Sequence, residues 1–272
     1  MKPLILLVFI FFSICRVFAI NPDREYIRTP DSVNWQYQEL KIPTKDNYVL
    51  NTWIYKANEK NDKDTVLILA YPDAGNMSYF VYHSAILANA GYTVVTFDYR
   101  GFGKSDDFEI QREYLYYPEF ALDLEAVVGF TSKKFADNEI GVWGMSMGTT
   151  IISRAYPKIK NQINFIIGEG FVTNPSAIVD RHQKLGKEIL LPEASQSYEE
   201  LIHTIETPLL ILSASDDTIT SPQDALNLQS QLGQNCKTIE YKGTHLSGFQ
   251  VDYETKGFGG WFIEQIENFL KS

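Results

Sequence analysis

The sequence predicts an α/β protein built on a mostly parallel sheet with helices on both faces. Three observations predict it. Short continuous apolar runs, Thr65–Ala70 and Pro208–Ser213, show no polar alternation, as expected of strands buried on both faces. Such runs alternate with helical segments, the pattern of parallel strands joined by crossover helices. Between an apolar run and a helical stretch lies Gly144-Met145-Ser146-Met147-Gly148, a sharp strand-to-helix turn.

With 272 residues, 44% hydrophobic and 21% charged, the chain can bury a sizeable core and is not compositionally disordered. A formal net charge of −10 and no basic stripe argue against nucleic acid and anionic membranes as partners. At the start, Lys2, the apolar run Leu4–Phe12 and Val17-Phe18-Ala19 read as an export signal, residues 1–19, cut after Ala19. The run is short for a membrane span. The expectation is export through the Sec pathway to the periplasm or the outside, with no stable span after cleavage. An uncleaved anchor and a lipid anchor on Cys15 are alternatives; Ile14 is bulky for the second. Cleavage would leave one cysteine, Cys236, which cannot form an internal disulfide and reads as structural.

In chain order, residues 20–35 are a polar, Pro-containing surface lead-in, and 36–272 form one domain. Gln36–Ile42 and Tyr48–Tyr55 are an antiparallel hairpin about the turn Thr44-Lys45-Asp46-Asn47. After Thr65–Ala70, the loop Tyr71–Asn76 leads to a helix near Ser78–Ala90, closed by Gly91. Strand Thr93–Asp98 ends in a Gly-rich loop to Asp106, and Pro118–Thr131 has helical apolar spacing at Phe120, Leu124, Val127 and Val128. Strand Ile140–Trp143, the elbow and its helix come next, then strand Asn164–Gly168. A cap of helical pieces is expected at 171–206. Beyond it come Pro208–Ser213, a helix Pro222–Leu232 N-capped by Ser221, strand Lys237–Tyr241 and helix Trp261–Leu270.

In such sheets, reacting groups gather at the carboxyl ends of strands. Ser146 ends one strand, Ser213-Ala214-Ser215-Asp216-Asp217 another, and Lys242-Gly243-Thr244-His245 a third. Of four histidines, His83, His182 and His203 precede the acid; only His245 follows the last strand. Asp216, three residues past the expected strand end, is favoured as the acid. Asp217 is the neighbour expected to cap the turn, and Glu169 is a third candidate.

These motifs in this order resemble the α/β-hydrolases of the serine aminopeptidase and monoacylglycerol lipase-like group. The resemblance spans roughly residues 36–270. It rests on Tyr71–Asn76, Phe97–Ser105, Gly144–Gly148, and Ser213–Asp216 with His245. It implies an α/β-hydrolase fold with an eight-stranded, mostly parallel sheet and a small cap. It implies Ser146 as nucleophile, His245 as base, Asp216 as the orienting acid, and an oxyanion hole from the backbone N–H groups of Met147 and Asp73, with Ala74 the alternative to the latter. No metal or organic cofactor is implied, and the expected partner is a small acyl substrate. One departure stands out: the family's usual His-Gly after the strand is Tyr71-Pro72 here, and Pro72 brings no N–H. The expected function is a secreted ester hydrolase. The alternatives are an aminopeptidase or amidase, with Glu169 or Glu193 anchoring a free amine, and a non-catalytic binding module.

Overall fold

The computed structural model describes residues 18–115, 118–184, 186 and 189–272. The apolar run Leu4–Phe12, Cys15, Tyr116 and Tyr117 lie outside them. A two-residue strand, β1 (Asn21–Pro22), comes first. The predicted hairpin is β2 (Tyr37–Pro43) and β3 (Val49–Tyr55), antiparallel, with Tyr37 opposite Tyr55. Next in the chain are β4 (Thr65–Ala70), a short β5 (Ala74–Gly75), α1 (Val81–Asn89), β6 (Tyr92–Phe97), α2 (Pro118–Lys134), β7 (Glu139–Met145), α3 (Met147–Ile159) and β8 (Phe165–Glu169). Residues 171–206 carry α4 (Pro175–Lys184) and α5 (Ser195–Ile202). The chain closes with β9 (Leu209–Ala214), α6 (Pro222–Leu232), β10 (Cys236–Tyr241), α7 (Tyr253–Lys256) and α8 (Gly260–Leu270).

Eight strands form one sheet in the order β10-β9-β8-β7-β4-β6-β3-β2, parallel from β10 to β6 and antiparallel at the hairpin edge. Every residue of β4, β8 and β9 is buried, which is why these strands read as unbroken apolar runs. β7 lies between β4 and β8 with its last residues paired to Ala70 and Glu169, so the elbow sits mid-sheet at the carboxyl rim. Cys236 is buried and its thiol is pushed up to about 12 by that burial, an inert structural residue.

The lead-in is more than a surface segment. Ile20 is fully buried, and β1 pairs in parallel with β5. The Tyr26 hydroxyl donates to the buried Asp98 carboxylate, which also accepts from the N–H groups of Met77 and Lys104. A cut after Ala19 would remove Ala19, whose N–H donates to the Arg112 carbonyl, and would leave Ile20 as the first residue. A short polar stretch without periodicity gives no sequence signal for such packing.

Beside the carboxyl rim, Arg100 fixes the loop after β6. Its guanidinium is 1% exposed and pairs with Asp123, itself fully buried, at 2.7 Å, and with Asp46 at 2.5 Å. The Arg100 N–H also donates to Asp123 at 2.9 Å. Removing one partner of a buried pair leaves an uncompensated charge. Asp123→Ala is therefore expected to lower the unfolding free energy by about 3 kcal/mol in urea denaturation; a loss below about 1 kcal/mol would show that Asp46 and water suffice.

Candidate active site

Ser146 sits between β7 and α3 with φ 49° and ψ −114°, a left-handed backbone that a non-glycine residue holds only when its surroundings enforce it. Two contacts enforce it. The Ser146 N–H donates to the Glu169 carbonyl at 3.0 Å, and its own carbonyl accepts from Thr149 N–H at 2.9 Å. The helix also passes so close to β4 that a Cβ on Gly148 would lie 1.8 Å from the Ala70 carbonyl oxygen. Glycine is thus a packing requirement here. The Met147 N–H opens α3 and has no acceptor within the helix.

His245 lies in the loop after β10. Its Nε2 is 3.0 Å from the Ser146 hydroxyl and its Nδ1 is 2.7 Å from Asp217 Oδ2. With Asp217 ionised, Nδ1–H donates to it, leaving Nε2 to accept from the serine. The Asp217 side chain is 1% exposed. Burial raises its carboxyl, but His245 and the hydroxyl and N–H of Thr220 outweigh burial and hold it below the ordinary aspartate value. Ile219 N–H donates to it as well, at 2.8 Å.

The carboxylate that meets His245 is therefore that of Asp217 and not of Asp216. Asp216 is exposed, and its N–H is tied to the Gly243 carbonyl. The spacing of three residues past the strand holds, but β9 runs to Ala214 rather than ending at Ser213. One residue of strand shifts which aspartate faces inward.

Glu169 is fully buried beneath the His245 loop. Its Oε1 accepts from Gly248 N–H at 2.7 Å and from the Tyr241 hydroxyl at 2.9 Å. It holds the loop on which His245 sits, and Leu246 beside the imidazole is itself left-handed at φ 58°.

The loop after β4 reaches the site despite Tyr71-Pro72. The buried Tyr71 ring packs 4.6 Å from Tyr99 and stacks on Phe80 at 5.7 Å, and its hydroxyl accepts from Tyr99 N–H at 3.2 Å. This anchors the loop so that Asp73 lines the same cavity as Ser146 and Met147. The cavity is about 250 Å³, and its walls are mainly apolar, with Leu115, Val172, Ile178, Ile189 and Ile219 among them. Three of those walls come from residues 171–206. Arg181 on α4 tethers that segment to Asp224 at 2.8 Å and to the Ile219 carbonyl.

The other candidates lie elsewhere or play other parts. Glu193 makes a two-pronged ion pair with Arg154 at 3.0 and 3.1 Å. His83 is wedged between Phe249 and Phe258, and desolvation there pushes it down to about 4, so it stays neutral. His182 lines the cavity, which its position in the chain did not reveal. Among the described residues no cluster of His, Cys, Asp and Glu could hold a metal ion.

A mostly parallel sheet carrying a serine elbow, with histidine and acid on later strand ends, defines the α/β-hydrolase class. The family model described as serine aminopeptidase, S33, matches residues 74–191. The uncharacterized membrane protein YNL320W of Saccharomyces cerevisiae is 28% identical over 205 residues, 73% of this chain and 69% of that protein. Lysophosphatidylserine lipase ABHD12 of Macaca fascicularis is 26% identical over 184 residues, and the match covers 62% of this chain but 43% of the lipase. The Pyrococcus furiosus esterase Pf2001 superposes with a TM-score of 0.71 at 21% identity, covering 93% of this chain and 96% of that one. The chain belongs to the α/β-hydrolase superfamily and is a hydrolase.

The comparisons correct one expectation. A relative named a membrane protein points to membrane association, not to release as a secreted protein. Among the described residues no helix is long and apolar enough to cross a membrane.

Glu169 carries a pH signature. Burial raises its carboxyl above the ordinary glutamate value, and Gly248 and Tyr241 offset this only in part. An acid raised in the folded state ionises first when unfolded, so stability falls as pH climbs past the ordinary glutamate value. Glu169→Gln, which keeps an acceptor for both donors, should gain stability relative to wild type as pH rises above the ordinary glutamate value in urea titrations. Parallel pH curves for the two proteins would show that the carboxyl ionises normally.

Proposed function

We propose that this protein is a serine esterase that cleaves acyl esters with apolar chains through an acyl-enzyme. The observation that carries this reading is the hydrogen-bonded series Ser146–His245–Asp217 opening into an apolar cavity. His245 Nε2 takes the hydroxyl proton as Ser146 Oγ attacks the ester carbonyl carbon. The carbonyl oxygen becomes an oxyanion, held by the Met147 N–H and by the Asp73 N–H from the loop after β4. Collapse breaks the ester C–O bond, and the proton on His245 leaves with the alcohol. Water then attacks the acyl carbon and gives a proton to His245, which passes it to Ser146 Oγ as the acyl C–O bond breaks and the acid leaves. Asp217 fixes the imidazole tautomer and stabilises its charged form. The names of the macaque lipase and the archaeal esterase agree with ester cleavage.

The family model's description as a serine aminopeptidase supports a second reading. A free amine needs an acid in the cavity; neither suggested anchor provides it, and the acid among the cavity's lining residues is Asp73. Glu193 is engaged by Arg154, and Glu169 lies under the histidine loop. The apolar walls favour the ester.

A fluorophosphonate probe should label the wild type and not Ser146→Ala. On p-nitrophenyl butyrate, Asp217→Asn should lower kcat by about 10⁴, because the imidazole loses its tautomer. Asp216→Asn, at an exposed position, should stay within about twofold. Equal losses in both variants would refute the assignment of the acid, and an unlabelled wild type would refute the nucleophile.

A further inference from the structure

Phe18 and Ala19 line the same cavity as Ser146 and His245. The N–H groups of Ala19 and Ile20 both donate to the Arg112 carbonyl, at 2.8 and 3.2 Å. The Arg112 guanidinium lies 4.8 Å from the centre of the Phe18 ring, within cation–π range, and reaches the Asn21 side chain at 3.4 Å. One arginine thus latches the aromatic ring at the cavity wall.

The next residues run along the loop after β4. Asn21 N–H donates to the Asp73 carbonyl and Asp23 N–H to the Gly75 carbonyl, both at 2.9 Å. The Asn76 side-chain amide returns two bonds, to the carbonyls of Asp23 and Glu25, at 2.9 and 2.8 Å. Pro72 has no N–H with which to brace this loop from within. The bracing comes from a separate piece of chain.

We propose that the strap Phe18–Asp23 is a working part of the active site. Phe18 limits the length of apolar chain the cavity accepts, and the bonds from Asn21 and Asp23 position the Asp73 loop. The proposal rests on the esterase reading. A cavity of about 250 Å³ is small beside the roughly 300–1,000 Å³ of typical ligand pockets, so a single aromatic wall residue decides how many methylenes fit. Phe18 acts on chain length and therefore on KM. Asn21 acts through Asp73 and therefore on kcat, as a positioning residue.

The test compares wild type, Phe18→Ala, Arg112→Ala and Asn21→Pro on p-nitrophenyl butyrate, octanoate and laurate. Phe18→Ala should raise the laurate-to-butyrate ratio of kcat/KM at least tenfold, at roughly fourfold for each methylene newly covered. The change should come chiefly through KM. Arg112→Ala, which frees the ring but keeps the carbonyl, should move the ratio the same way by less. Asn21→Pro, lacking the donor to Asp73, should lower kcat roughly tenfold or more on all three esters, with the ratio moved no further than in Arg112→Ala. A ratio within about twofold of wild type in both Phe18→Ala and Arg112→Ala would overturn the wall. An unchanged kcat in Asn21→Pro would overturn the brace; should that variant not fold, Asn76→Ala, which removes the two return bonds, gives the same kcat readout. If the wild type cleaves no ester, the esterase reading fails. The wall is then read from thermal shifts with butyrate, octanoate and laurate, where Phe18→Ala must move the strongest shift to a longer acid, and an unmoved pattern overturns it.

Discussion

The fold of the site depends on the close approach of α3 to β4. Where Gly148 meets the Ala70 carbonyl there is no room for a side chain, and this contact allows the chain to reverse from β7 into α3 within one residue. That residue is Ser146, whose left-handed backbone lifts the hydroxyl off the sheet and points the first N–H groups of the helix at the same space. The Ser146 hydroxyl and the Met147 N–H come from one turn, so their relative positions need no further device.

The remaining groups arrive from distant parts of the chain, and each is held by buried polar contacts. Asp217 is surrounded by donors from Ile219 and Thr220 as well as His245, which keeps its charge in a nearly dry position. His245 is held from below by Glu169, whose carboxylate bridges Gly248 and Tyr241. Glu169 also lends its carbonyl to the Ser146 N–H. The end of β8 thus touches both the serine turn and the histidine loop, and a buried acid without a direct part in the chemistry ties them together. In a low-dielectric interior such contacts define one geometry, since each unpaired alternative is costly.

The loop after β4 shows how a sequence departure is absorbed. Tyr71 stands where the resemblance implies a histidine, and its ring packs among Phe80, Tyr99 and Phe102. Pro72 stiffens the next step, and the parallel pairing of β1 with β5 fixes Ala74 and Gly75 beyond it. The lead-in and this loop form one unit, stitched further by Arg24 to the carbonyls of Phe102 and Ser105.

Sequence alone determined the parts whose physics is local or periodic. Strands buried on both faces must be apolar throughout, so β4, β8 and β9 were legible, and the glycines flanking Ser146 identified the elbow. The chain order of serine, acid and histidine narrowed four histidines to His245. What only the tertiary structure decided was set by long-range contact. A strand end misplaced by one residue turns the neighbouring side chain to the other side, which is why Asp216 read as the acid and Asp217 holds the histidine. Phe18, Ala19 and His182 reach the cavity through packing that leaves no pattern in their own segments. The partner that makes each of them part of the site lies far along the chain.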